Sequence, residues 1–370
     1  MDLHARIPST AGAATFIARL TEDQNAEIRE REALLIRGNP ILLRVGSLPS
    51  NGLQLPEALS YLRAGDIVRV DPGAGHIRVL YRRNSPHNVL FFTERCNSRC
   101  LMCSQPPRSI EDGYLIDEIL EAIPLMSRET TELCITGGEP TLLGYRLFEV
   151  IEATKSYLPD TSLHMLSNGR LFRYMPLARR VAGVGHPDFM IGIPLYSDVG
   201  SKHDFIVQAK GAFDETIRGI MNLARVGQRI EVRFVIHRQT FSRLAHTARF
   251  IARNLPFVDQ VALMGLEMTG FTKANLEALW IDPVEYQTEL REAVEEFRNA
   301  HLTVMIYNHQ LCLLGKDLWP IARKSVSDWK NVYMPECTPC LMKDRCGGFF
   351  SSARCRYSKH ITPLQEEAMV

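Results

Sequence analysis

Phe92-Thr93-Glu94-Arg95-Cys96-Asn97-Ser98-Arg99-Cys100-Leu101-Met102-Cys103 puts three cysteines into C-x3-C-x2-C spacing at the end of an apolar, β-branched run. Three thiolates on one short loop can hold three irons of a [4Fe–4S] cube and leave the fourth without a protein ligand. An open iron is a place where a small molecule can bind and receive an electron. The run before the loop, residues 88–93, is the first of six. The others are 131–136, 161–166, 188–195, 229–236 and 257–264.

Segments of helical spacing separate these runs. Phe213, Ile217, Ile220 and Ala224 share one helical face that ends at Gly227, a good C-cap. Asp282 followed by Pro283 is an N-cap with an N1 proline, opening a helix that carries Leu290, Val294 and Phe297. Strand–helix–strand repetition implies parallel strands with right-handed crossovers. Six units suit an incomplete, open barrel or a doubly wound sheet. In both, reactive groups gather beyond the C-terminal strand ends.

The motifs fall at those ends. Gly137-Gly138-Glu139-Pro140 follows the second run, Ser167-Asn168-Gly169 the third, and Pro194-Leu195-Tyr196-Ser197 closes the fourth. Arg233 lies within the fifth, and Gly265-Leu266-Glu267 follows the sixth. Each has a bland reading beside the functional one. Gly-Gly-Glu-Pro and Ser-Asn-Gly are common turns. Arg233 is then a solvated strand residue, and Glu267 pairs with a basic neighbour. Cys134, mid-strand among apolar residues, reads as a small buried hydrophobe.

The chain has 370 residues, 45% hydrophobic and 23% charged, as an ordinary globular protein of one to three domains. Its net charge of +1 offers no bulk attraction to nucleic acid or anionic membrane. No apolar run is long enough to span a bilayer, and the N-terminus lacks an apolar signal region. The expected compartment is the cytoplasm, where nine unevenly placed cysteines read as ligands rather than as a disulfide framework.

The first 85 residues differ. Ala33–Ile36 and Ile41–Val45 are short apolar runs, and Ile67–Val70 with Ile77–Tyr81 around Asp71-Pro72-Gly73-Ala74-Gly75 predicts a β-hairpin. The stretch from Ala11 to Leu20 is expected to be helical. The basic run from Arg170 to Arg180 is interrupted by apolar residues at helical spacing, so a solvated helix face is expected there.

A second cysteine set closes the chain: Cys337-x2-Cys340-x5-Cys346, with Cys312 earlier. Four thiolates can bind a second [4Fe–4S] cluster or a structural zinc ion. Cys355 reads as a free surface thiol, with a fifth, alternative ligand as the other reading. His309, near Cys312, reads as a polar loop histidine rather than a ligand.

The C-x3-C-x2-C loop and the Gly-Gly-Glu-Pro turn resemble the radical S-adenosylmethionine (SAM) superfamily over roughly residues 88–350. Several phrases are similar to the His-Xaa-Ser system radical SAM maturase of the C type. These are Leu101–Pro107, Thr136–Gly144, Ser325–Trp329 and Cys346–Phe350. The resemblance implies a partial (β/α)6 barrel with an N-terminal β-rich module and a C-terminal SPASM/twitch-like auxiliary cluster region. The implied units are 1–85, 86–300 and 301–370.

It also implies roles. Cys96, Cys100 and Cys103 hold the cluster, SAM chelates the open iron, and reduction yields methionine and a 5′-deoxyadenosyl radical. Gly137 and Gly138 allow close approach to the ligand, Glu139 accepts from the methionine amino group, and Ser167 and Asn168 touch ribose. Arg233 meets the methionine carboxylate, which a guanidinium fork suits. Cys312, Cys337, Cys340 and Cys346 hold an auxiliary [4Fe–4S] cluster. Apart from the resemblance, which names no radical-quenching donor, Cys355 and Tyr196 are the two candidates the sequence offers for that role. The implied partners are a ribosomally made precursor peptide with His-Xaa-Ser repeats, a sister maturase, and a flavodoxin or ferredoxin as electron donor. The N-terminal module could grip the precursor by strand addition. Other substrates of the same chemistry are RNA or a small metabolite. The reading from another class is a non-catalytic iron–sulfur or zinc scaffold.

Overall fold

The computed structural model describes residues 3–10, 14–23, 31–38, 41–44, 52–324 and 332–365. The Ser325–Trp329 phrase, and parts of the first 51 residues, lie outside them.

Seven strands build the N-terminal sheet: β1 (His4–Arg6), β2 (Phe16–Thr21), β3 (Glu32–Ile36), β4 (Ile41–Arg44), β5 (Leu53–Leu55), β6 (Ile67–Asp71) and β7 (His76–Tyr81). Their order is β1-β7-β6-β2-β3-β4-β5. The hairpin expected from residue 67 to 81 is β6 and β7, antiparallel with a register shift beside Ile67. The helix expected over 11–20 is not what forms in its described part. Phe16–Thr21 is a strand, seated between β6 and β3 with Ala18 and Leu20 buried. Two neighbours offering backbone partners and apolar cover override the helical propensity of an alanine-rich stretch.

Eight parallel strands follow: β8 (His87–Phe91), β9 (Glu132–Thr136), β10 (Ser162–Leu166), β11 (Phe189–Pro194), β12 (Arg229–Ile236), β13 (Gln260–Gly265), β14 (Thr303–Tyr307) and β15 (Ala322–Arg323). They pair strictly in chain order, from β8 at one edge to β15 at the other. A doubly wound sheet reverses direction at a switch point; this one never does. Right-handed crossovers that all step one way keep the helices on one face and curl the sheet into an open half-barrel. The six expected units are β8 to β13, and the sheet continues through two further strands.

The crossovers are α1 (Tyr114–Ala122), α2 (Tyr145–Tyr157), α3 (Met175–Gly183), α4 (Gly200–Val207) with α5 (Ala212–Arg225), α6 (Leu244–Asn254), and α7 (Phe271–Ala274) with α8 (Leu276–Leu279) and α9 (Gln287–Asn299). Gly227, at φ 73°, ends the α5 turn. Asp282 and Glu285 form a capping box ahead of α9, whose first turn is a 3-10 helix from Pro283. Along β12, Ile230, Val232, Phe234 and Ile236 are buried, while the intervening Glu231, Arg233 and Val235 face the other side, the lumen of the half-barrel.

The module is bolted to the barrel through α1. Glu118 on α1 forms ion pairs with Arg69, Nε to Oε1 at 2.5 Å, and with Arg78, both arginines lying on the N-terminal sheet. Tyr81 Oη lies 2.8 Å from Thr130 Oγ1, and Ile17, Ile67 and Tyr81 join the barrel's apolar core. Removing the buried carboxylate takes an anionic partner from both guanidinium groups, Arg69 keeping Asp71. Glu118→Ala is expected to lower unfolding free energy by about 3 kcal/mol in a urea titration; a loss under about 1 kcal/mol would show the joint to be passive.

Candidate functional site

The cysteine loop leaves β8 and crosses the C-terminal mouth of the half-barrel, held from four sides. The buried Asp112 carboxylate accepts Thr93 Oγ1 at 2.8 Å and Glu94 N at 2.7 Å, and pairs with Arg95 Nε at 3.2 Å. From the β9 end, Gly138 N donates to Thr93 O at 2.7 Å and Glu139 N to Arg95 O at 2.8 Å. This contact requires glycine. A Cβ on Gly138 would stand 2.1 Å from Arg95 O, and one on Gly137, at φ 139°, would stand 2.5 Å from Thr93 O. The two glycines therefore admit the cysteine loop's own backbone.

On the third side, Arg99 N and Leu101 N donate to the carbonyls of Val207 and Ile206 at the end of α4. On the fourth, Gly270 (φ 52°) brings α7 onto the loop: Phe271 N donates to Cys103 O at 2.8 Å, and Asn275 Nδ2 to Leu101 O at 2.9 Å. A Cβ on Gly270 would meet Cys103 O at 2.3 Å.

All nine cysteines are free thiols. Burial pushes Cys96 up to about 11 and Cys100 up to about 12, and each of the two also feels Cys103. Asn168 Nδ2 lies 3.9 Å from Cys96 Sγ and donates to Asn97 Oδ1 at 2.6 Å. By their chemistry, three thiols on one short loop, with the Asn168 amide beside Cys96, are a donor set that fits an iron–sulfur cube. Beside Cys96 an open recess of about 720 Å³ is edged by Arg95, Arg99 and Arg108.

Glu139 is fully buried. Its Oε1 accepts Thr141 N (3.1 Å), Thr141 Oγ1 (2.5 Å) and Ser167 Oγ (2.8 Å), and Oε2 accepts Asn168 N at 2.6 Å. Burial raises its carboxyl above the usual range against these donors. Glu139, Ser167 and Asn168 thus form one polar knot joining the β9 and β10 ends. Arg233 lies deeper in the lumen. Its Nη1 donates to Glu231 Oε1 at 2.5 Å and its Nη2 reaches Met264 Sδ at 3.1 Å. The Glu231 carboxylate, beside it, is held below its usual range although burial opposes this. The guanidinium is not a solvated strand residue; it already has an anionic partner.

Three residues that the sequence left aside belong here. Arg170, expected on a solvated helix face, is largely buried and donates to the Asn97 carbonyl, to Ser98 Oγ at 3.1 Å and to Glu215 at 2.6 Å. Asp112 and Gly270 carried no motif, although both sit in loops beyond strand ends. Cys134 is buried in β9. Tyr196 is buried against Met102, stacked on His203 at 5.9 Å, with its phenol pushed up by burial.

The second cysteine set converges below the β14 end. Leu311 N and Gly348 N approach Cys346 Sγ at 3.5 and 3.4 Å, and Leu364 N approaches Cys340 Sγ at 3.4 Å. Burial raises the Cys312 thiol, which also feels Cys346 and Cys337. Among the described residues no three His, Cys, Asp or Glu side chains are grouped so as to hold one metal ion. His309 differs from expectation. It is buried, with Nε2 2.9 Å from Tyr286 Oη and Nδ1 2.8 Å from Tyr307 O. Between this region and the β12–β14 ends runs a narrow cleft lined by Trp280, Tyr286, Asn308, Phe349 and Arg356. Cys355 is exposed, its Sγ 3.9 Å from Sδ of Met268, which also lines the cleft.

Residues 90–251 match the family model described as Radical SAM superfamily. That segment is similar to the superfamily and makes up less than half of the chain. The superfamily is an enzyme class and implies a [4Fe–4S] cluster and SAM. A curated Fe-coproporphyrin III synthase from Methanosarcina barkeri (strain Fusaro / DSM 804) is 26% identical over 170 residues, 44% of this chain and 40% of its own length. Streptococcus suis SuiB, solved with SAM, aligns at TM-score 0.48 and 15% identity over 62% of this chain and 51% of that one. Escherichia coli HemN, a coproporphyrinogen III oxidase, aligns at 0.46 and 13% over 60% and 54%. The chain thus spans about two-fifths of the curated relative and about half of these solved structures. No described helix is long and apolar enough to cross a membrane.

Two buried imidazoles, His203 and His237, are expected to make the stability of the half-barrel acid-sensitive. Burial lowers His203, which accepts Tyr196 N, to about 4, and His237 to about 3. Each stays neutral when folded and binds a proton near 6.5 when unfolded, so its contribution is present above that pH and is lost on acidification through the folded value. For His203 the full loss is about 3 kcal/mol. Denaturant titrations between pH 7 and 4 should show stability falling, with His203→Gln flattening the profile; an unchanged profile in that variant would contradict the assignment.

Proposed function

We propose that this chain is a radical SAM enzyme that modifies a ribosomally made precursor peptide. The observation that carries the reading is the cysteine loop clamped by Gly137–Glu139 across the half-barrel mouth, within the segment similar to the superfamily. Cys96, Cys100 and Cys103 hold the cluster. When bound, the cluster and SAM supply one-electron reductive cleavage of a sulfonium to a 5′-deoxyadenosyl radical.

The chain's own residues bind and orient. Glu139 Oε2 accepts one protein donor and keeps acceptor capacity for the methionine amino group. Ser167 and Asn168 border the ribose. Arg233, steadied by Glu231, offers its remaining N–H groups to the methionine carboxylate. Buried Met102, Tyr196 and Leu279 exclude water beside the loop.

Residues 1–85 serve as the accessory module, 86–300 as the core, and 301–370 as the auxiliary region, where Cys312, Cys337, Cys340 and Cys346 hold a second [4Fe–4S] cluster. The backbone N–H groups directed at Cys340 and Cys346 sulfurs suit metal-bound thiolates, of a cluster or of zinc alike. Two cubes predict about eight irons per chain, against about four with one zinc, and elemental analysis after anaerobic assembly separates them. The three-residue edges β1 and β5 are where the precursor, with its His-Xaa-Ser repeats, would add a strand. If so, Gln54→Pro in β5 weakens precursor binding and leaves SAM cleavage intact; unchanged binding would remove the module from recognition. A sister maturase and a flavodoxin or ferredoxin complete the proposed partners. SuiB, bound in one solved structure to its precursor peptide SuiA, is a protein for which such a complex is described.

The Fe-coproporphyrin III synthase match favours a second reading, in which the same chemistry acts on a small metabolite. The experiment is anaerobic incubation of reduced, cluster-loaded protein with SAM, with and without the candidate peptide. Mass spectrometry should find 5′-deoxyadenosine and a changed peptide mass, and Cys100→Ala should reduce both to background. No 5′-deoxyadenosine from wild-type protein overturns the enzyme reading in favour of a scaffold. An unchanged peptide alongside it overturns only the peptide.

A further inference from the structure

The backbone between Cys96 and Cys100 is gripped by a charged side chain from another element. Arg170, on the short helical turn after β10, reaches under the loop. Its Nη1 donates to the Asn97 carbonyl and to Ser98 Oγ, the latter at 3.1 Å. Its Nε donates to Glu215 Oε2 at 2.6 Å. Glu215, in the first turn of α5, also pairs with Arg173. The turn carrying Arg170 is itself seated on α5: a Cβ on Gly219 would stand 2.1 Å from Gly169 O, so only glycine lets the two elements close this tightly. Asn168 completes the grip, with its Oδ1 accepting Arg170 N at 3.0 Å and its Nδ2 donating to Asn97 Oδ1.

This arrangement does more than hold a turn. The Arg170 side chain is only 13% exposed, so its charge acts on the loop through protein rather than through water. A cluster gains one negative charge on reduction, and its potential responds to net charge and hydrogen bonds at its sulfurs. A fixed cation bonded to the residues between two of the three ligands favours the reduced state. Glu215 is shared with Arg173, so the local charge of this trio stays positive by one.

We propose that Arg170, anchored by Glu215, is a positioning residue that sets both the spacing of Cys96 and Cys100 and the reduction potential of the cluster they hold. The proposal rests on the reading of Cys96, Cys100 and Cys103 as cluster ligands. Its consequences separate charge from geometry. Lysine keeps the charge but lacks the planar fork that reaches two acceptors and an anchor together; methionine keeps only the length.

The test uses full-length chain, anaerobically loaded, with midpoint potentials from titrations followed by electron paramagnetic resonance. Arg170→Met should shift the potential to more negative values, and Arg170→Lys should shift it less. Ser98→Ala, which removes one accepted bond and no charge, should change the line shape with little change in potential. If Arg170→Met folds with a native circular dichroism spectrum but loads less iron, the positioning role is supported as well. A wild-type potential in Arg170→Met, or equal shifts in the methionine and lysine variants, overturns the proposal. Failure of the ligand reading looks different: wild-type protein itself then gives no cluster signal that depends on Cys96, Cys100 and Cys103.

Discussion

The site depends on two backbone hydrogen bonds, Gly138 N to Thr93 O and Glu139 N to Arg95 O, made where a single methyl group would prevent them. They join the ends of two adjacent parallel strands above the barrel mouth. The loop after β8 is thereby laid against the turn after β9, with its three cysteines part-buried at the barrel mouth. The other clamps build on this one. Glu139 follows the second bond directly, and its carboxylate collects the β10 end through Ser167 and Asn168. Asn168 and Arg170 then hold the residues between the cysteines. One close approach thus propagates through three strand ends.

Most of the architecture was legible because its signals are local. Six apolar runs alternating with helical spacing require parallel strands, and the structure adds their strict sequential order. That order distinguishes a curling half-barrel from a doubly wound sheet, and periodicity alone does not contain it. The stretch from Phe16 to Thr21 was misread because alanine favours helix intrinsically, whereas its strand is imposed by β6 and β3, far away in sequence.

The site was legible where chemistry is concentrated in spacing, as in the three cysteines, and less so where partners come from distant elements. Arg170 sits in a basic run whose helical spacing pointed to solvent. Its burial comes from Glu215, 45 residues on. His309 looked like a polar loop residue, but Tyr286 and the Tyr307 carbonyl take both ring nitrogens and let it be buried. Gly137 and Gly138 were read as making room for a ligand, and the structure adds that a Cβ on either would strike the cysteine loop's own backbone. Arg233 was singled out for its charge, and the acid that orients it, Glu231, lies two residues away on the same face of the strand. In each case a sequence names the group and leaves out what it is held by.

The central claim is that the loop behind β8 carries a cluster with one site open to a sulfonium ligand. The most direct measurement is the electron paramagnetic resonance spectrum of reduced, anaerobically assembled protein before and after SAM is added. The account predicts a signal that changes on addition. It also predicts that replacing Cys96, Cys100 and Cys103 together with alanine removes this SAM-sensitive component and leaves any signal from the C-terminal cysteines unchanged. A SAM-sensitive signal that survives that replacement, or a wild-type signal indifferent to SAM, would contradict it.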